Sequence, residues 1–111
     1  QYNLPVKAFI VNNQWMGMVR QWQELNHGSR YSQSYTESLP DFVKLTEAYG
    51  HKGFKVTQRN KLGPTLEKAF ALKDQLVFVD VYVDQSEHVY PMLVSPNGSM
   101  QDMWLSRGKK T

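Results

Sequence analysis

The fold is decided by one stretch, KAFIVNNQWMGMVRQW, which runs from Lys7 to Trp22. Its first part, Lys7 to Val11, is a short apolar and partly β-branched run, typical of a strand buried in a parallel sheet. Asn12 and Asn13 are expected to end the strand, because asparagine tolerates the conformations of a tight turn. Open α/β sheets bind ligands at the carboxyl ends of their strands, so Asn13 marks the first place to look for a site.

The second part of the stretch predicts an amphipathic helix from Gly17 to about Leu25. Apolar side chains recur there at helical spacing and form one face: Met18, Val19, Trp22 and Leu25. We interpret Val19 and Leu25 as core residues. Trp22 precedes a polar segment, Asn26 to Ser38, that reads as a long surface loop. It is therefore either a core residue or the wall of a pocket.

The rest of the chain continues the alternation of helices and strands. Pro40 and Asp41 are expected to open a second helix, which Gly50 ends. The further predictions are a strand at Gly53 to Thr57, a helix at Leu62 to Leu72, a strand at Leu76 to Val83, a loop at Glu87 to Ser99 and a short helix at Met100 to Leu105. This order predicts an α/β fold of three layers, with a mostly parallel sheet and helices on both faces.

Composition narrows the classes of function. The chain has 111 residues, a net charge of +3 and no cysteine, so it is one domain or part of one and has no disulfides or thiol chemistry. Its basic residues are scattered apart from a cluster at Arg107 to Lys110. This distribution of charge favours neither nucleic-acid nor membrane partners. A reducing cytoplasm is compatible with this composition. Because no methionine opens the chain and a strand begins almost at once, we expect a piece of a longer protein.

Asn12 and Asn13 allow two interpretations when taken alone. In one, the pair only forms the turn after the strand. In the other, a side-chain amide oxygen serves as a neutral, hard ligand for a Mg²⁺ ion that holds a diphosphate. The second interpretation needs a backbone carbonyl from the turn and a carboxylate from elsewhere. The histidines lack the spacing of metal ligands and are interpreted as surface or loop residues (His27, His51 and His88).

Several segments together resemble the large catalytic subunit of acetohydroxyacid synthases, also called acetolactate synthases. They are VNNQWMGMVRQWQ from Val11, RYSQ from Arg30, LPDFVKLTEAYG from Leu39 and EHVYPM from Glu87. The likeness is greatest to the bacterial isozymes of branched-chain amino-acid biosynthesis. It implies that residues 1–111 are the C-terminal part of a domain that binds thiamine diphosphate, with the thiamine-diphosphate-binding fold present in part.

The resemblance also implies roles for individual residues. Asn13 would ligate Mg²⁺ through its side chain and Trp15 through its backbone carbonyl, and the third protein ligand, an aspartate, would lie outside this segment. The residues that would line the cofactor's diphosphate are Met16, Gly17, Met18 and Val19. The pocket for the second 2-keto acid would be formed by Met18, Trp22 and, from a C-terminal loop, Ser95. No catalytic residue is expected within the segment.

The implied reaction condenses two pyruvates, or pyruvate and 2-ketobutyrate, with loss of CO₂ in valine and isoleucine biosynthesis. The activating glutamate would come from a partner subunit and FAD would bind in another domain, so this segment alone should be inactive. The implied assembly is a homodimer or higher oligomer with a small regulatory subunit. The alternatives are another thiamine-diphosphate-dependent 2-keto acid decarboxylase or carboligase, or a non-catalytic α/β binding module.

Overall fold

The computed structural model describes residue 2, residues 4–93 and residues 98–110. Residues 109 and 110 are described by their backbone alone. The chain forms two compact units. The first unit comprises Gln1–Asn13 and Glu37–Asp84, and the second unit comprises Gln14–Thr36 and Gln85–Thr111. In the described ranges, no helix is long and apolar enough to cross a membrane.

The helices and strands follow one another as the alternation predicts, with additions near the end of the chain. In order they are β1 (Lys7–Asn12), α1 (Gly17–Asn26), α2 (Phe42–Ala48), β2 (Lys52–Val56), α3 (Leu62–Ala71), β3 (Val77–Tyr82), β4 (Met92–Leu93), β5 (Met103–Ser106) and β6 (Lys109–Lys110). The first unit contains β1, β2 and β3 with α2 and α3, and the remaining elements belong to the second unit.

The first unit is a three-stranded parallel sheet in the order β1-β3-β2. On one face, α3 packs against β3 and buries Ala69 with Val77 and Val79. Side chains alternate along a strand, so Phe78 points to the opposite face, where α2 lies. The first unit is therefore the predicted α/β arrangement, a parallel sheet with a helix on each face.

Two predicted helices differ from the structure. The second begins at Phe42 rather than at Pro40, because Asp41 is its N-cap and its carboxylate accepts the N–H groups of Val43 and Lys44 at 3.1 Å. The predicted helix at Met100 to Leu105 is wrong. There Ser99 caps a single 3₁₀ turn, Met100–Asp102, and the chain continues as strand β5.

The second unit contains a small antiparallel sheet in the order β4-β5-β6, which the sequence did not reveal. Met92 of β4 lies opposite Trp104 of β5. The strand β4 is only two residues long and falls inside the segment predicted as a loop. A strand this short carries no readable alternation of apolar and polar residues, which explains why it was missed.

Gly53 of β2 permits the close approach of α2 to the sheet. A Cβ atom at this position would lie 2.8 Å from the Cα atom of Val43 and 3.1 Å from its carbonyl oxygen. We therefore expect Gly53→Ala to lower the free energy of unfolding by about 2 kcal/mol, because backbone atoms must shift. Thermal unfolding of the intact protein measures the change.

Gly63 in the first turn of α3 provides the matched control, since a Cβ atom there meets nothing within 4 Å. In Gly63→Ala the gain in helix propensity and the restriction imposed by Pro64 oppose each other, so a small effect is expected. Equal shifts of the unfolding temperature in the two variants would contradict the packing argument at Gly53.

Candidate functional site

The end of β1 is fastened to β3 by both the backbone and a side chain. The amide group of Asn12, which is buried, donates to the carboxylate of Asp80 over 2.9 Å, and the Asn12 carbonyl accepts the N–H of Val83 over 3.1 Å. Asn13 follows directly and is half-buried. The structure thus confirms the predicted position of Asn13 at the carboxyl end of a parallel strand.

In the turn after β1, the residue with a left-handed backbone conformation is Gln14 and not an asparagine. Gln14 has a φ of 61°, in the left-handed region that non-glycine residues rarely adopt. Asparagine is therefore not required at position 13 to supply a left-handed residue. A metal-binding role for Asn13 stays a prediction.

The donors at this turn suit magnesium only in part. An amide oxygen and a backbone carbonyl are hard oxygen ligands of the kind that Mg²⁺ takes. Within the part of the chain that the structure describes, no group of three or more His, Cys, Asp or Glu side chains could hold a metal ion. That the third ligand, a carboxylate, comes from outside this segment stays a prediction of the sequence analysis.

In the second unit, Trp15 is held by aromatic neighbours. It forms an isolated antiparallel bridge with Tyr35, in which Met16 N–H donates to the Ser34 carbonyl over 2.8 Å. Its ring lies 5.5 Å from that of Tyr31 and 5.1 Å from that of Tyr35, measured between centroids. The Arg20 guanidinium stacks 4.7 Å from the Trp15 ring centroid. The side chain of Trp15 thus has a packing role, separate from the role as a metal ligand that is predicted for its backbone carbonyl.

Helix α1 exposes most of the apolar side chains that the sequence marked. Met18 is 49% exposed, and Val19 and Trp22 are each 42% exposed, whereas Leu25 is half-buried. The assignment of Val19 to the core is therefore wrong for the described chain. The described chain thus leaves Trp22 partly exposed, and its role as a pocket wall stays a prediction.

The buried side chain of α1 is Gln21, which the sequence analysis missed. Its amide nitrogen donates to the Val89 carbonyl over 2.8 Å, and its amide oxygen accepts the Val89 N–H over 2.9 Å. The same nitrogen lies 2.9 Å from the sulfur of Met92. Gln21 therefore completes the backbone hydrogen bonding of the segment before β4. Its sequence position, between Arg20 and Trp22, gave no signal of this contact.

Glu24 joins three parts of the second unit. Its carboxylate accepts from the Tyr31 hydroxyl over 2.9 Å and from Arg107 Nε over 2.6 Å, and it lies 2.8 Å from His88 Nε2. Although burial opposes ionisation, the hydrogen bonds from His88, Tyr31 and Arg107 hold the pKa of Glu24 below its usual range. His88 lies in a loop as predicted, but its side chain is buried against Glu24 rather than facing solvent.

An apolar cavity of about 260 Å³ lies elsewhere in the first unit, between α2 and the sheet. Its lining includes Phe42 and Leu45 of α2, and Leu76 and Phe78 at the start of β3. These residues lie toward the amino ends of the strands, whereas Asn13 follows the carboxyl end of β1. The cavity therefore does not contribute to the predicted site. Ser95, the remaining predicted pocket residue, lies outside the described residues.

The chain is similar in sequence to a known family and to proteins of known name. Residues 1–81 match the family described as thiamine pyrophosphate enzyme, C-terminal TPP binding domain. The chain is 50% identical over 107 residues to the acetolactate synthase large subunit of Haemophilus influenzae, a match that covers 96% of this chain and 18% of that protein.

Two further relatives carry similar names. The acetolactate synthase isozyme 3 large subunit of Escherichia coli K12 is 50% identical over 113 residues, which covers 100% of this chain and 20% of that protein. The acetolactate synthase large subunit of Pyropia yezoensis is 40% identical over 111 residues, covering 99% of this chain and 19% of that protein. The chain thus spans about a fifth of the length of these relatives.

Proposed function

Because the chain belongs to the thiamine pyrophosphate enzyme family through its C-terminal TPP-binding domain, we propose that it is part of the large subunit of an acetolactate synthase. The observation that carries this proposal is 50% identity, over almost the whole chain, to proteins of that name. The proposed reaction joins two pyruvates, or pyruvate and 2-ketobutyrate, with loss of CO₂. It would serve the biosynthesis of valine and isoleucine.

Thiamine diphosphate is the cofactor of this family, and Mg²⁺ is the proposed link between its diphosphate and the chain. The side-chain oxygen of Asn13 and the backbone carbonyl of Trp15 are the proposed ligands. When bound, the cofactor supplies the electron sink for decarboxylation. The chain's own contribution is to hold the ion at the end of β1 and to line the diphosphate. The lining residues in the proposal are Met16, Gly17, Met18 and Val19.

The exposed face of α1 is the proposed wall of the pocket for the second 2-keto acid. Met18 and Trp22 lie one helical turn apart on that face. An indole ring at the wall buries more apolar surface of a larger substrate than an aliphatic side chain would, which favours 2-ketobutyrate over pyruvate. Ser95 is the third proposed pocket residue on the strength of the resemblance alone.

Trp22→Leu in the full-length enzyme is expected to lower the preference for 2-ketobutyrate over pyruvate by about tenfold, the order of effect that one methylene produces in an apolar pocket. Competition between the two substrates, with both products quantified, measures the ratio. Tyr49→Leu is the matched control, since Tyr49 is an exposed aromatic residue at the end of α2. An unaltered product ratio in Trp22→Leu would refute the pocket assignment.

The remaining parts of the proposal concern the whole protein. The relatives are named as large subunits, and this supports a small regulatory subunit as partner of a homodimer or higher oligomer. FAD would bind in a domain outside this chain, and the enzyme would act in the cytoplasm. The activating glutamate would also come from outside, so the 111-residue segment alone is expected to be inactive.

The proposal is tested by incubating the full-length protein with pyruvate, thiamine diphosphate and Mg²⁺ and identifying the products. Acetolactate, with one CO₂ released for each pair of pyruvates, supports it. Acetaldehyde would indicate a 2-keto acid decarboxylase. In a parallel incubation with glyoxylate in place of pyruvate, tartronate semialdehyde would indicate a different carboligase. Absence of any product from the cofactor-loaded protein would favour a non-catalytic binding module.

A further inference from the structure

Asp80 is a buried carboxylate in an otherwise apolar and aromatic strand. Asp80 is only 4% exposed, and its Oδ1 accepts a hydrogen bond from the side-chain amide of Asn12. The bond runs diagonally between neighbouring strands, since Ile10 is the register partner of Asp80 and Asn12 is that of Tyr82. Burying a carboxylate is costly unless it is paired, so this arrangement needs a reason beyond filling space.

A basic residue lies on the neighbouring strand on the other side of β3 from Asn12. Lys55 of β2 is the register partner of Asp80, and its ammonium lies 4.5 Å from the ring centroid of Tyr82. Tyr82 first, and then the charges of Asp80 and Asp41, hold the pKa of Lys55 above its usual value. Asp80 thus lies between a cation on one neighbouring strand and an amide donor on the other.

These hydrogen bonds hold Asn12, the last residue of β1, in place. Asn12 is 6% exposed, and it is fixed by its side chain to Asp80 and by its carbonyl to the N–H of Val83. Asn13 follows Asn12 directly, and Gln14, the residue after Asn13, has a left-handed backbone conformation. Asn12 is therefore held by two hydrogen bonds immediately before Asn13.

We propose that Asp80 is a positioning residue for the metal site: by holding Asn12, it fixes the place from which the Asn13 amide oxygen approaches Mg²⁺. This inference rests on the proposed function, in which Asn13 is a metal ligand. Groups that orient a ligand without touching the metal commonly change metal affinity by about 10- to 100-fold when removed. Ligating groups need to be held within about 0.5 Å of their working position.

The test measures the Mg²⁺ concentration required for half-maximal binding of thiamine diphosphate to the full-length protein, followed by tryptophan fluorescence. Asp80→Ala and Asn12→Ala are each expected to raise that concentration about tenfold. The double variant should raise the Mg²⁺ requirement no further than either single change does, because both changes remove the same hydrogen bond. Asp80→Asn keeps an oxygen that can accept from Asn12, so it should remain closer to the unaltered protein than Asp80→Ala.

Thr46→Val is the matched control for a general loosening of the first unit. Thr46 is buried in α2, and its hydroxyl donates to the Phe42 carbonyl over 2.6 Å. The control should leave the Mg²⁺ requirement unchanged although it also removes a buried hydrogen bond. A Mg²⁺ requirement raised as much by Thr46→Val as by Asp80→Ala would overturn the proposal, and so would additive effects of the two single changes at positions 12 and 80.

Asn13→Ala separates the failure of this inference from the failure of the proposed function. If Asn13→Ala raises the Mg²⁺ requirement and Asp80→Ala does not, Asn13 remains a ligand and the positioning role of Asp80 is refuted. If Asn13→Ala itself has no effect, the metal assignment fails, and the inference fails with it. Circular dichroism of each variant confirms that the readout compares folded proteins.

Discussion

Asn13→Ala is expected to raise the Mg²⁺ concentration needed for thiamine diphosphate binding by about 100-fold or more in the full-length protein. Removal of a group that only orients a ligand costs about 10- to 100-fold in metal affinity, and loss of a ligand itself should reach at least the upper limit. A methyl group offers no oxygen to the ion, and a water molecule that replaced the amide would not be held by the chain. Calorimetric titration of the cofactor at several Mg²⁺ concentrations measures the change.

Asn60→Ala is the control for this result, since Asn60 is an exposed asparagine of the first unit in the 3₁₀ segment Arg59–Lys61. It should leave both the Mg²⁺ requirement and the unfolding temperature unchanged. Equal Mg²⁺ requirements in Asn13→Ala and Asn60→Ala would show that Asn13 forms the turn and nothing more. That outcome would restore the simpler of the two interpretations that the sequence allows.

Gln21→Leu is expected to lower the free energy of unfolding by about 3 kcal/mol. The substitution keeps a similar volume but leaves the N–H and the carbonyl of Val89 without the bonds that Gln21 makes to them. A buried backbone group left unsatisfied costs about 1–3 kcal/mol, and because these two bonds are only part-buried we take the lower half of that range for each. Urea unfolding gives the overall change, and hydrogen exchange should show faster exchange of the Val89 amide.

Gln101→Leu is the matched control, because the Gln101 side chain is exposed in the 3₁₀ turn before β5. Its effect should be small, since surface substitutions away from special contacts usually change stability by less than about 0.5 kcal/mol. If Gln21→Leu proved as stable as Gln101→Leu, the bidentate contact with Val89 would have no net stabilising value. The Gln21 account of the second unit would then be wrong.

The first unit was largely predictable because its elements carry clear periodic patterns. The strand prediction Leu76 to Val83 matches β3 (Val77–Tyr82) to within one residue at each end, and the helix prediction Leu62 to Leu72 differs from α3 (Leu62–Ala71) by one residue at one end. The apolar residues Ala69, Val77 and Val79 are buried as this pattern predicts, although Phe70 of α3 is 58% exposed. The location of Asn13 followed from the same patterns, since it depends only on where β1 ends.

The second unit was less predictable because contacts distant in sequence determine it. Gln21 and His88 read as ordinary polar residues, yet each is buried by a partner more than 60 positions away. Strand β5 was predicted as a helix because Met100 to Leu105 is too short for periodicity to distinguish the two. It is a strand because it pairs with β4 on one side and with β6 on the other, and no local pattern encodes those pairings.

The central claim, that β1 ends at a ligand of the cofactor's metal ion, is tested most directly by a crystal structure of the full-length protein with thiamine diphosphate and Mg²⁺. We expect the Asn13 side-chain oxygen about 2.1 Å from the ion, the usual distance for a magnesium ligand. The Trp15 carbonyl should lie at the same distance and Asp80 should remain bonded to Asn12. A magnesium–diphosphate pair bound with the Asn13 side chain directed away from the ion would contradict the claim.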